Sequence, residues 1–243
     1  ITGASSGIGA HLAHLFGAAG AKVVLGARRT DRTEDVAEAI RAAGGQAHAL
    51  ALDVTDEASI IAAYDEAEST FGTIDTIIAN AGLSKAGRST DLPVSDIQTL
   101  TDTNFIGAYL TAREGAKRLI ASGSKDTGNG RIVLVGSITS FAHANGDAAY
   151  AALKAGLAHL GRNFAREWVR QGINVNTIHP GYIDTEINAD WMHTDAGQAM
   201  VNSFHRRRLT SIDALNDPVL FFSSDAAAQI TGAELIIDDG QWL

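Results

Sequence analysis

The sequence predicts a three-layer α/β domain: a doubly wound parallel sheet covered by helices on both faces. Three observations carry that reading. Short β-branched runs alternate with longer alanine-rich segments along the whole chain. The longer segments have helical length and place apolar residues every third or fourth position. Strict alternation of this kind implies parallel strands joined by right-handed crossovers. With 243 residues and 45% hydrophobic content, the chain can bury one core, so residues 1–243 are expected to form a single domain.

The predicted strands are Lys22–Leu25, Gln46–Leu52, Thr76–Ala79, Arg131–Val135, Ile173–Ile178 and Glu234–Ile237. Leu12, Leu15 and Phe16 mark one helical face, and Ala58, Ile61 and Tyr64 another. Ile1 stands directly before a glycine-rich turn, so the strand that should precede this turn is expected to be truncated from the numbering. From Tyr182 to about Ser211 the alternation breaks, with Trp191, Met192, Met200 and Phe204 scattered among polar residues. A long excursion in a compact domain predicts a lid over a site, here residues 182–211. Asp217 followed by Pro218 predicts an N-cap and first-turn proline opening a short helix through Phe222.

Composition narrows the function classes. The formal charge of -9 provides no basic surface to neutralise a nucleic-acid backbone. The apolar stretches fall far short of the roughly 20 residues that span a bilayer, and no charged-then-apolar leader opens the chain. A soluble, cytoplasmic protein is expected. The sequence has no cysteine, which removes disulfides and thiolate metal sites but does not distinguish compartments. His11 and His14 lie one turn apart without an evident third ligand, so no metal site is expected. His205 and Arg206–Arg208 read as a solvated or ion-paired end of the lid, with contact to an acidic carrier or phosphate as the alternative.

Chemistry in a doubly wound sheet belongs at the carboxyl ends of the strands. There the first motif is Thr2-Gly3-Ala4-Ser5-Ser6-Gly7-Ile8-Gly9. Its glycines permit a tight turn, and the free amides of the following helix attract a pyrophosphate. Gly3, Ser5, Ser6, Gly7 and Ile8 are therefore candidate cofactor contacts; an ordinary glycine-rich turn is the alternative. The second strand ends on Arg28 and Arg29 rather than on an acid that would bind a free ribose and repel a 2′-phosphate. A guanidinium there can pair with a phosphate dianion, which favours NADP over NAD. Two solvated surface arginines would leave that choice open, and Ser6 stands where a second basic residue would strengthen it.

The second motif is Tyr150-Ala151-Ala152-Leu153-Lys154, which sets phenol and ammonium four residues apart on one helical face. Ser137 follows the apolar strand Ile132–Val135, where a hydroxyl could meet the phenol, and Asn104 lies on the preceding helix. Together Asn104, Ser137, Tyr150 and Lys154 resemble the tetrad of the short-chain dehydrogenase/reductase family, whose fold is of the Rossmann type. The resemblance runs essentially the whole chain: Asp53-Val54 after the third strand, Asn80-Ala81-Gly82 after the fourth, and Pro180-Gly181 with Ile183 and Thr185 after the sixth. It is nearest to 3-oxoacyl-carrier-protein reductases and related secondary-alcohol dehydrogenases.

The resemblance implies an oxidoreductase that moves a hydride between a nicotinamide and a ketone or secondary alcohol. In it, Tyr150 is the acid/base, Lys154 lowers the phenol pKa and holds the nicotinamide ribose, Ser137 orients the substrate oxygen, and Asn104 holds a water. It also implies that Asp53 binds the adenine, that the Asn80–Gly82 turn passes along the cofactor, that Thr185 grips the carboxamide, and that the chain forms a homodimer or homotetramer. A free phenol near pKa 10 needs such help to exchange protons at neutral pH. Reduction of 3-oxoacyl thioesters, or nucleotide binding without turnover, are the alternatives. Asp238-Asp239-Gly240 departs from the family's usual Asp-Gly-Gly. The substrate pocket is expected to involve the lid with Phe141, His143 and Asn145.

Overall fold

The computed structural model describes residues 1–142 and 146–243, so His143 and Asn145 lie outside the described residues. Strand β1 (Lys22–Ala27) pairs in parallel with β2 (Gln46–Ala51), Lys22 opposite Gln46. A second set runs β3 (Thr76–Ala79), β4 (Gly130–Val135), β5 (Ile173–Pro180) and β6 (Glu234–Ile237), neighbours in that order and all parallel. The sequence-based boundaries hold to within two residues; β1 runs on through Gly26 and Ala27, and β5 through His179 and Pro180.

The described strands form a parallel pair and a parallel foursome within the expected sheet. Ile1 and Thr2 sit between them. The Ile1 amino group donates to the Val24 carbonyl at 2.9 Å, Gly26 N–H donates to the Ile1 carbonyl at 3.0 Å, and Thr2 N–H donates to the Ile78 carbonyl at 3.1 Å. These two residues therefore fill the gap between β1 and β3, which lie two strand spacings apart and cannot pair directly.

Helices cover both faces, and the strand side chains alternate accordingly. Ile78, Val133, Val135 and Ile178 pack on one side against α1 (Gly7–Ala18), α2 (Thr30–Ala42) and α10 (Asn216–Phe222), using Leu12, Phe16, Ile40, Val219 and Phe222. On the other side Ile77, Ile132, Leu134, Ile173 and Val175 meet α5 (Gly107–Ala121) and α7 (Ala148–Trp168), through Leu119, Leu157, Phe164 and Trp168. α3 (Glu57–Phe71) packs Ile60 and Ala63 onto Leu50 and Leu52. Helices α4 (Val94–Thr101) and α6 (Ser124–Thr127) flank α5.

The Tyr182–Ser211 excursion contains α8 (Ala189–Met192) and α9 (Asp195–Ser203), the latter capped by the Thr194 hydroxyl. Thr210 N–H donates to the Tyr182 carbonyl at 2.9 Å and closes its base. Arg206 and Arg208 both pair with Asp239, at 2.8 and 2.6 Å. Asp239 has φ 54, the left-handed region where glycine is comfortable, so this ion pair holds a side chain at a position that glycine occupies more easily. The N-cap expected at Asp217 is corrected: α10 starts at Asn216, with Leu215 in the cap position, because the preceding 3₁₀ turn Ile212–Leu215 feeds directly into it.

Gly9 faces the phosphate turn, and a β-carbon there would overlap the Gly3 carbonyl and the Asn80 amide. Gly9→Ala is expected to cost about 1–3 kcal/mol of stability by overpacking, read from urea unfolding, and to weaken dinucleotide binding in the same preparation.

Candidate active site

One cleft of about 960 Å³ opens at the carboxyl ends of the strands. Every sequence-predicted cofactor position borders it, from Gly3 to Thr185, and so do Ser137, Tyr150 and Lys154. Asn104 alone does not.

The phosphate turn is built for close approach. Gly3 (φ 68) and Gly7 (φ 53) adopt left-handed backbones, and a β-carbon on Gly3 would lie 2.8 Å from Ala81 Cα. Ser6 does not cap α1 and no acid occupies its first turn, so the helix amides face the cleft uncompensated. Thr2 welds this turn to the next: its hydroxyl accepts from Asn80 N–H and Ala81 N–H, both at 3.0 Å, while Asn80 Nδ2 donates to the Thr2 carbonyl at 2.9 Å. Asp53 accepts from the Thr55 amide and hydroxyl at 3.0 and 2.7 Å. Burial pushes its carboxyl up, but those two donors and the nearby Arg28 charge outweigh this, leaving it below its ordinary value. This cradle fits an anionic dinucleotide, which would lie along it with its pyrophosphate on the α1 amides.

Arg29 spans the mouth of the cradle. It donates to Ser5 Oγ at 3.0 Å, Ser6 Oγ at 2.7 Å and Glu186 Oε2 at 3.0 Å, while Arg32 reaches Glu186 Oε1 at 2.6 Å. Arg29 holds the Glu186 carboxyl below its ordinary value. Sequence reasoning missed Glu186 because its partners lie more than 150 residues away. Thr185 uses its amide and hydroxyl on Asn188 Oδ1, at 3.1 and 3.3 Å.

At the inner end, the segment Val135–Ser137 is held from several directions. The Lys154 ammonium, 4% exposed, donates to the Val135 carbonyl at 2.8 Å. Gly136 N–H donates to the Ile178 carbonyl at 2.8 Å. The Ser137 carbonyl accepts from Ser140 N–H at 3.0 Å and from His179 Nδ1 at 3.1 Å. His179 is fully buried, edges Phe141, and turns Nε2 toward Glu234, 3.3 Å away. Thr139 donates to Ser137 Oγ from both its amide (3.2 Å) and its hydroxyl (2.9 Å). With its acceptor capacity used by Thr139, the Ser137 hydroxyl has its own proton to give to an oxygen in the cleft. His179 and Thr139 carried no signal in the sequence beyond their nearness to predicted residues.

Two predicted residues have surroundings that spacing alone does not disclose. The first is Tyr150, whose phenol is pushed up to about 12, chiefly by burial; the Ser137 hydroxyl pulls it down, and the charge of Asp147 and then Tyr182 push it further up. The Lys154 ammonium lies 5.7 Å from the ring centroid, donates to the Val135 carbonyl, and is itself pushed down to about 8 by burial. The second is Asn104, which sits in a π-helical turn, Asp102–Ile106, with its side chain 1% exposed. Its Nδ2 donates to the Leu83 and Leu100 carbonyls at 2.9 and 3.1 Å, and its Oδ1 accepts from Leu83 N–H at 3.1 Å. The π turn aims the amide at the Gly82–Leu83 backbone, which borders the cleft.

The arrangement pairs an anion cradle with a phenol and a serine hydroxyl that can both donate to one oxygen. A model of the short chain dehydrogenase family matches residues 1–196. The chain is 35% identical over 241 residues to cis-4-hydroxycyclohexanecarboxylate dehydrogenase of Sinomonas cyclohexanicum, covering 99% of this chain and 94% of that one. It is 30% identical to the 3-oxoacyl-[acyl-carrier-protein] reductase of Escherichia coli strain K12, covering 100% and 96%. The crystal structure of a gluconate 5-dehydrogenase from Burkholderia cenocepacia, in complex with NADP and tartrate, superposes with a TM-score of 0.92 at 29% identity, covering 99% and 92%. The chain belongs to the short-chain dehydrogenase family and is an oxidoreductase of alcohols and ketones.

Proposed function

We propose that this protein is an NADP(H)-dependent ketone reductase or secondary-alcohol dehydrogenase with Tyr150 as acid/base. The observation that carries the reading is the convergence of Ser137, Tyr150 and Lys154 at the inner end of the cleft whose outer end is the phosphate cradle. The nicotinamide supplies or accepts the hydride at the substrate carbon. In reduction the Tyr150 hydroxyl gives its proton to the carbonyl oxygen while Ser137 donates to the same atom and fixes its position. In oxidation the proton returns to Tyr150. A phenol held near 12 is protonated at neutral pH, the form that reduction needs. Buried Lys154 anchors the strand end that carries Ser137, and Asn104 positions the Gly82–Leu83 turn beside it.

NADP is favoured because Arg28 and Arg29 border the cradle with no acid after β1, and Arg29 already holds two hydroxyls and a carboxylate. The solved gluconate 5-dehydrogenase was crystallised with NADP. We read residues 182–211 as the lid, since Trp191, Met192, Met200 and Phe204 all border the cleft. A homodimer or homotetramer and a cytoplasmic setting accompany this reading, as the family resemblance implies.

Tyr150→Phe is expected to lower kcat by about 10²–10⁴ while NADPH affinity, read by fluorescence titration, changes by less than about twofold; wild-type turnover in the variant would sink the acid/base role. Replacing Arg28 and Arg29 together by Ala should weaken NADP binding roughly ten- to a hundredfold, the size of lost charge-assisted hydrogen bonds, and change NAD binding far less. Alcohol oxidation should climb from pH 7 to pH 10 as Tyr150 loses its proton more readily, whereas ketone reduction stays level through neutral pH. A flat oxidation profile across that range, measured in initial rates, would contradict the assignment.

A further inference from the structure

We propose that Asp147 makes this an enzyme of uncharged alcohols and ketones, accepting a hydrogen bond from a donor on the substrate and turning away carboxylates. The inference rests on the reading of Tyr150 as acid/base and goes on to name the substrate class.

Asp147 lies three residues before Tyr150 at the start of α7 and borders the same cleft. It occupies the N-cap position, yet its side chain makes no cap hydrogen bond. A carboxylate at this position ordinarily spends itself on the first-turn amides. Here it is half-buried, borders the cleft, and among the described residues makes no cap hydrogen bond. Burial raises its pKa, and its charge in turn raises the pKa of both Tyr150 and Tyr182, so the field of this one group reaches the reacting phenol and the opposite wall.

Apart from the Lys154 ammonium, the described side chains near Asp147 in the cleft are largely uncharged. The cleft's described walls include Ile187, Trp191, Met192 and Phe204. Among the described residues there, the charged groups other than Asp147 are Lys154, buried and spent on Val135, and Glu186, taken up by Arg29 and Arg32 at the outer mouth. A substrate carboxylate would thus enter a largely apolar space facing a like charge with no described cation to meet it, an arrangement that is costly in a low-dielectric site. A hydroxyl, amide or amine at the same place would meet an acceptor.

The test uses one carbon skeleton with and without charge. For the purified full-length enzyme with its dinucleotide, kcat/KM is measured for 4-hydroxycyclohexanecarboxamide and 4-hydroxycyclohexanecarboxylate. The amide is expected to exceed the acid by about tenfold or more, and the gap should narrow as salt rises. In Asp147→Asn the gap should shrink severalfold, and in Asp147→Lys it should reverse. Removing the charge should also shift the basic limb of the oxidation profile toward lower pH, because Ser137, Lys154 and Tyr182 then face Tyr150 without Asp147; a merely structural role would leave that limb in place. Equal or better use of the acid by the wild type, or an unchanged gap in Asp147→Asn, overturns the inference. Turnover of either compound that persists in Tyr150→Phe would instead overturn the acid/base reading on which it rests.

Discussion

Burial of the Lys154 ammonium is the constraint from which the rest of the site follows. An ammonium that is 4% exposed has given up water and must find acceptors, and the Val135 carbonyl at the end of β4 is the one it takes. That bond fixes the rotation of α7 against the sheet. Tyr150, one helical turn earlier on the same face, is thereby aimed at the cleft, and the chain leaving β4 is held so that Ser137 projects beside it. The cost of burial appears in the lysine itself, whose pKa falls to about 8. A lysine at this position is therefore as much an anchor for the strand end as a source of charge, and its replacement would disturb Ser137 before it changed the phenol.

The same logic explains why so many bonds converge on three residues. The Ser137 hydroxyl accepts from both the amide and the hydroxyl of Thr139, which leaves its own proton as the group turned outward to donate. His179 completes the frame from β5. Its Nδ1 must carry a hydrogen, since the Ser137 carbonyl can only accept, and Gly136 has no side chain because the imidazole packs where one would stand. Burial and the Lys154 charge push the His179 proton off, while the Ser137 carbonyl and Glu234 hold it. Glu234 is also paired with Arg162 from α7, so the frame closes on the helix that carries Tyr150.

Much of this was legible in the sequence, for physical reasons that also mark where legibility ends. Runs such as Ile132–Val135 and Ile77–Ala79 announce strands because both faces are buried and every position is apolar. Gly3 and Gly7 announce the turn because left-handed backbone selects glycine. Tyr150 and Lys154 are visible as a pair through helical spacing alone. What spacing cannot convey is desolvation: it places a lysine near a tyrosine but says nothing of whether the ammonium is turned to a carbonyl or of the burial that pushes the phenol up. Asn104 was assigned to the preceding helix, yet a π turn inserts one residue and rotates its amide onto Leu83. Glu186, His179 and Thr139 act through partners brought together only by the tertiary fold, or, for Thr139, through a turn whose geometry the sequence does not disclose.

The two ends of the cleft carry opposite electrical characters, and this polarity decides more than any single contact. Arg28, Arg29 and Arg32 gather at the outer mouth, where Glu186 offsets part of their charge. Asp147 stands at the inner end beside the phenol. A dinucleotide that carries its phosphates toward the arginines and its uncharged reacting ring toward Tyr150 satisfies both ends at once, whereas the reverse orientation would bring phosphates against a carboxylate. Glu186 sharpens this further. Its carboxylate bridges Arg29 and Arg32 across the mouth, at 3.0 and 2.6 Å, while remaining about half exposed to water, where ion pairs are weak. Glu186 directly follows Thr185 at the root of the Tyr182–Ser211 segment, so these two ion pairs join that segment to the mouth of the phosphate cradle.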